Sequence, residues 1–191
     1  MDTHKIGVKF YFEKGQDVAP EVWFKTFNTW ISAHEGPDVL IDVVDYHHVK
    51  NGPVTLLVAH EYDISIDDGD GRRGLFFSRK QPTEGNFLAR LSSAVKQTCE
   101  ICQRIETDGN VGSQVAFDGS EVRLVLNDRL LAPNTEETLQ AIQADLDAVL
   151  GKAYGGAKVS VARRKDVKAR FTLDVKADGN WSVDQVLKNL S

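Results

Sequence analysis

Polar and apolar residues alternate from Lys5 to Glu13, with Ile6, Val8, Phe10 and Phe12 on one side, and this period of two predicts a strand. Gly15 to Ala19 connects it to Pro20, a residue suited to the first turn of a helix because it has no N–H to satisfy. Val22, Trp23, Phe27, Trp30 and Ile31 then recur at three- and four-residue spacing, so a helix runs to about Ala33 and stops at His34-Glu35-Gly36-Pro37. Its aromatic residues, with Phe24 among them, surround the helix and predict burial on two sides.

Two long strand-like runs follow, Val39 to Val49 and Val54 to Asp67, joined by Lys50-Asn51-Gly52-Pro53, an Asn-Gly loop that signals a hairpin. The acidic turn Asp67-Asp68-Gly69-Asp70-Gly71 leads to a short strand from Gly74 to Arg79. Phe87, Leu88, Leu91, Val95, Cys99, Cys102 and Ile105 then predict a second helix over roughly Asn86 to Glu106.

Residues 107–120 are glycine-rich and poor in apolar residues, which reads as a linker between a first half, 1–106, and a second half, 121–191, within what could still be one compact domain. The second half opens with a strand carrying Val122, Leu124 and Leu126. A helix capped near Asn134 or Thr135 follows, with an apolar stripe of Leu139, Ile142, Leu146, Val149 and Leu150, and stops at Gly151 and Gly155-Gly156. Strands over Lys158 to Ala162 and Ala169 to Ala177 precede a short amphipathic helix around Val183, Val186, Leu187 and Leu190.

The order is therefore β-α-β-β-β-α, linker, β-α-β-β-α. This predicts an α+β fold of two βαββ-type halves, with mainly antiparallel sheet and the helices packed on one face. The shared order of strand, Ala-Pro connector, helix and hairpin suggests an internal duplication, although βαββ is a common unit and residue identity between the halves is slight.

Composition narrows the functional classes. With 191 residues, 41% hydrophobic and 27% charged, the chain can bury a sizeable core and lies near the globular average, which argues against disorder. A net charge of −5 has the wrong sign for a dedicated nucleic-acid binder, so nucleic acid is a disfavoured partner. The longest apolar run, Val54 to Ala59 broken by Thr55, is too short to span a bilayer, and the N-terminal residues show no signal-peptide pattern. A cytoplasmic, bacterial-type domain is the resulting expectation. No phosphate-binding glycine loop, dinucleotide fingerprint or nucleophile elbow occurs, which disfavours nucleotide hydrolysis and triad chemistry.

Three polar groups carry candidate chemistry. On the first hairpin, with Val49 opposite Val54, one face presents Ile41, Val43, Asp45, His47 and Val49 beside Val54, Leu56, Val58, His60 and Tyr62. Asp45, His47 and His60 would then approach one another as ligands for a divalent transition metal or as an acid–base pair, with His4 and the second-half carboxylate Glu121 as further ligands. A satisfied buried polar network is the competing reading.

The opposite face places Asp42 against Glu61 with Asp63 nearby, a like-charge arrangement that calls for a bound cation or for Arg72 or Arg73. A solvated outer face is the alternative. The last hairpin turn carries five basic residues, Arg163, Arg164, Lys165, Lys168 and Arg170, able to dock an anion or RNA, or simply to protect an edge.

Two weaker patterns remain. Cys99-Glu100-Ile101-Cys102 lies inside a helical stripe, where both residues read as small core hydrophobes and as reduced thiols. The acidic run from Asp63 to Gly71 lacks the spacing of a calcium loop.

The leading expectation is a non-enzymatic binding module for a protein or small ligand, with a protein partner or a second copy as its associate and no cofactor. The alternatives are a metal-dependent enzyme built on the hairpin histidines, and RNA or anion binding through the basic turn.

Overall fold

A computed structural model describes residues 1–166 and 168–191. The elements in chain order are β1 (Ile6–Lys14), α1 (Pro20–Ser32), β2 (Leu40–Asp45), β3 (Pro53–Ala59), β4 (Tyr62–Asp67), β5 (Gly74–Arg79), α2 (Phe87–Glu106), β6 (Ala116–Leu126), α3 (Glu136–Ala153), β7 (Val159–Arg163), β8 (Phe171–Ala177) and α4 (Val183–Leu190). The strands form one antiparallel sheet in the order β2-β3-β4-β5-β1-β6-β8-β7. The fold is α+β.

Helix ends follow local chemistry. Asn86, Thr135 and Ser182 each accept a backbone N–H with the side chain at an N-terminus, and Ser182 with Gln185 completes a reciprocal capping box. Pro20 occupies the first turn of α1.

Among the described residues, the four helices α1 to α4 lie on one side of the sheet. Ile6, Val8, Phe10 and Phe12 of β1 point there, in register with Phe77 and Leu75 of β5 and with Leu126, Leu124 and Val122 of β6. Phe12 stacks on Trp23 of α1 at 5.6 Å, and Trp30 lies beneath Arg104 of α2 at 3.9 Å, so the central aromatic layer joins α1, α2 and the sheet. Trp23, Phe27 and Trp30 are buried along one stripe, but Phe24 is 40% exposed, so α1 is covered on one side rather than two.

Three expectations need correction. First, Val54 to Asp67 is two strands, because a tight turn at His60-Glu61 reverses the chain between Ala59 and Tyr62. The first half therefore contributes five strands rather than four. Second, residues 116–120 belong to β6, which pairs with Phe12 and Tyr11 of β1 before a bulge shifts the register. One continuous sheet thus crosses from the first half into the second through β1 and β6.

Third, the first hairpin has another register. β2 ends at Asp45 and β3 starts at Pro53, so the connection is longer than the Asn-Gly loop alone, and Val43 pairs with Leu57 and Asp45 with Thr55. An odd shift turns every β3 side chain over. Thr55, Leu57 and Ala59 enter the core, while Leu56 and Val58 face the side without helices.

Among the described residues, no helix is long and apolar enough to cross a membrane.

Candidate functional site

The sheet side without helices carries the feature that stands out chemically. In three adjacent strands, charged residues set between apolar neighbours meet at matching register: Lys9 of β1 opposite Arg123 of β6, and Arg123 opposite Asp174 of β8. A period of two places all three on the helix-free face. Both cationic side chains are nearly excluded from water, Lys9 at 1% and Arg123 at 8% exposure.

Buried charges need partners, and the loop from Asp67 to Arg73 supplies several. Lys9 Nζ donates to Asp67 Oδ1 at 2.5 Å and to the Gly69 carbonyl at 3.3 Å. Arg123 Nη1 donates to Asp70 Oδ2 at 2.5 Å and its Nε to Asp174 Oδ1 at 2.7 Å. Arg164, just beyond β7, completes the ring, with Nε on Asp174 Oδ2 at 2.9 Å and Nη1 on Asp70 Oδ2 at 2.7 Å.

Around this ring, Arg72 stacks 3.9 Å over the Tyr11 ring and reaches Glu121, which Lys176 also contacts, while Arg73 grips Asp68 through two hydrogen bonds. The loop is therefore strapped across the sheet by ion pairs along its length.

The titration behaviour follows. Burial lowers the Lys9 ammonium from its ordinary value against the pull of Asp67, and burial raises the Tyr11 phenol. Burial works against the Asp174 carboxylate, but the hydrogen bonds from Arg123 and Arg164 outweigh it and hold the group below the usual range. Lys176 and Arg72 lower Glu121, and Arg73 lowers Asp68.

A carboxylate with a depressed folded pKa contributes stability that is complete above its unfolded value and is lost as pH falls through the folded one. The melting temperature is therefore expected to be insensitive to Asp174, Glu121 and Asp68 above their ordinary values of 3.8 for Asp and 4.5 for Glu, and to fall below them. Melting the Asp174→Asn variant between pH 2 and 7 should give a shallower acid slope than the parent chain, and equal slopes would refute the assignment.

Two depressions flank Asp70. One, of about 340 Å³, is lined by Tyr11, Arg72, Glu121, Arg123, Arg164 and Asp174 among others. The other, of about 540 Å³, includes Lys9, Asp67, Phe76, Arg123 and Arg170. The Asp70 side chain borders both.

The residues singled out from sequence are distributed as follows. His47 Nδ1 lies 2.8 Å from Asp45 Oδ1, and the same oxygen accepts the His47 backbone N–H, which together lower the Asp45 carboxyl. His60 follows the other end of β3, about 16 Å from the Thr55 end by strand rise, so the metal or acid–base set does not converge. His4 precedes β1, and Glu121 is engaged by Arg72 and Lys176. Among the described residues, no three His, Cys, Asp or Glu side chains gather in a group able to hold a metal ion.

Asp42 lies opposite Val58 rather than Glu61. Glu61 pairs with Arg79 at 3.0 Å and Asp63 with Lys80 at 2.7 Å, so the charge compensation comes from these two residues and not from Arg72 or Arg73. In the acidic run, Asp63, Asp67, Asp68 and Asp70 each engage a cationic side chain, which suits a strapped loop rather than a calcium site.

The basic turn separates into different roles. Arg163 points to the helix side, onto Asn134 and Glu136; Arg164 joins the charge ring; and Arg170 lines the larger depression. The Lys168 carbonyl accepts from Arg129, and Lys165 is exposed. Cys99 and Cys102 are free and buried in α2, where burial raises both thiols far above their usual value.

Sequence reading missed Lys9, Tyr11, Asp70, Arg123 and Asp174. The usable signal was a charged residue set between apolar neighbours in each of three strands, Gly7-Val8-Lys9-Phe10, Val122-Arg123-Leu124 and Leu173-Asp174-Val175. No protein-family model, no curated protein and no solved structure matches the chain.

Proposed function

We propose that this protein is a non-enzymatic binding module that receives a protein or small ligand on the helix-free face of its sheet. The observation that supports this reading is the concentration of water-excluded charge there: Lys9 and Arg123, held in ion pairs beneath the loop from Asp67 to Arg73. Buried ion pairs add little stability compared with apolar residues of similar volume, so a cluster at the centre of a sheet suits recognition better than folding. The two depressions beside Asp70 give a ligand room to approach the ring.

The basic turn contributes to this face through Arg164 and Arg170, which joins the anion-binding reading to the binding-module reading. A cytoplasmic location agrees with two buried free thiols.

The test is a paired enrichment from an extract of the source cells, followed by mass spectrometry of bound proteins and small molecules. The parent chain is compared with Arg72→Glu/Lys176→Glu, which reverses charge on the helix-free face, and with Lys188→Glu on α4. Ligands of the face should be lost with the first variant and retained with the second. Identical profiles for all three proteins would refute the reading.

A further inference from the structure

We propose that Arg123 and Arg164 form an oxyanion clamp which Asp70 fills in the unliganded chain, and that the ligand is a small molecule whose carboxylate or phosphate group takes the place of Asp70. This rests on the binding-module reading and gives it a ligand class.

The two aspartates of the ring are held differently. Asp174 belongs to β8 and uses one carboxylate oxygen for each arginine, Oδ1 for Arg123 and Oδ2 for Arg164. Asp70 offers both arginines the same oxygen, Oδ2, and among the described residues its Oδ1 takes no hydrogen bond. Asp174 is thus built into the sheet, whereas Asp70 is inserted from a loop.

That loop carries the means of release. Asp70 has φ 62°, in the left-handed region that favours glycine. Its neighbour Gly71, φ 72°, has open space where a side chain would be. Withdrawing Asp70 relieves its backbone and leaves two guanidinium groups facing one carboxylate.

Asp174 must then serve both arginines alone, which leaves the charge on Arg123, whose side chain is only 10% exposed, incompletely compensated at a cost. An incoming oxyanion restores the balance. Planar guanidinium forks suit carboxylate and phosphate oxygens. The depressions on either side of Asp70 give the remainder of a small ligand a place to lie, with Arg170 and Lys9 on one side and Arg72 on the other.

The experiment uses the full chain with inorganic phosphate and succinate as probes, titrated calorimetrically at constant ionic strength against a chloride control. Because a resident carboxylate lowers apparent affinity by the fraction of time it fills the clamp, Asp70→Asn should bind at least one probe about tenfold more tightly than the parent chain. Adding Arg164→Gln to that variant should abolish the gain. Which probe responds identifies phosphate or carboxylate as the group recognised.

Equal affinity in the parent and Asp70→Asn proteins would overturn the proposal, as would a gain that survives Arg164→Gln. The parent chain gives an independent reading if the variants fold poorly. Saturating probe should accelerate amide exchange at residues 69–72 relative to chloride, and unchanged or slower exchange would refute displacement. If neither probe binds while enrichment on the helix-free face persists, the clamp fails and the binding-module reading stands.

Discussion

Replacing Lys9 with alanine is expected to cost about 3–5 kcal/mol of folding stability, the usual result of removing one partner from a buried ion pair. The ammonium group is almost wholly enclosed and holds Asp67 at 2.5 Å together with the Gly69 carbonyl. Without it, a carboxylate with only 17% exposure remains in the sheet uncompensated, and the start of the strapped loop loses its anchor. In a chain of this size the melting temperature should fall by roughly 10 °C.

The double substitution Lys9→Met/Asp67→Leu should recover most of the loss, because an apolar pair of similar volume removes both desolvation penalties. Urea unfolding of the two single variants and the double variant measures the coupling. A single-variant loss below about 1 kcal/mol would show that the pair is not desolvated as the structure indicates.

Gly74→Ala should be comparably severe for a steric reason. Gly74 pairs with Tyr11 across the β1–β5 ladder, and a Cβ there would lie 2.1 Å from the Phe10 carbonyl oxygen and 2.9 Å from the Tyr11 Cα. Both obstacles are backbone, so no rotamer change relieves them. The strands must separate at the point where β1 also shifts register against β6, and a loss of about 3 kcal/mol or more is expected.

Gly151→Ala provides the opposite sign. That glycine lies in α3 with open space around it, so alanine should stabilise the chain by up to about 1 kcal/mol. Chemical denaturation of both variants checks the pair, and a Gly74→Ala protein as stable as the parent would contradict the strand spacing.

Elements with strong periodicity or end signals could be read from the sequence. Pro20, Asn86 and Thr135 mark helix starts, and the stripes from Trp23 to Trp30 and from Leu91 to Ile105 are the buried faces of α1 and α2. The β3–β4 turn could not be read, because Ala59-His60-Glu61-Tyr62 contains no Gly, Pro or Asn and the flanking strands continue its composition. The first hairpin's register failed for a related reason: the Asn-Gly signal is real, but Tyr46 to Val49 leave the ladder, and an odd shift exchanges the faces.

The charge ring lay beyond local reading because its members are far apart in sequence. Lys9, Arg123 and Asp174 come from three strands and Asp70 and Arg164 from two loops, and only the β5–β1–β6–β8 pairing brings them together. Considered singly, Arg164 belonged to a basic turn and Asp70 to an acidic one, and neither composition revealed that the two turns face each other.

The position of β1 also shapes how the chain is made. This strand precedes both of its partners, β5 on one side and β6 on the other, so its amide edges stay unsatisfied until those strands have been translated. During that interval Ile6 to Phe12 is a segment of high strand propensity, the kind that templates intermolecular pairing. Lys9 is its only charge, set in the middle where it repels a second copy of the same segment. The residue that anchors the loop in the finished protein thus guards the nascent strand beforehand. A variant that restores equilibrium stability with an apolar residue at position 9 gives up that protection.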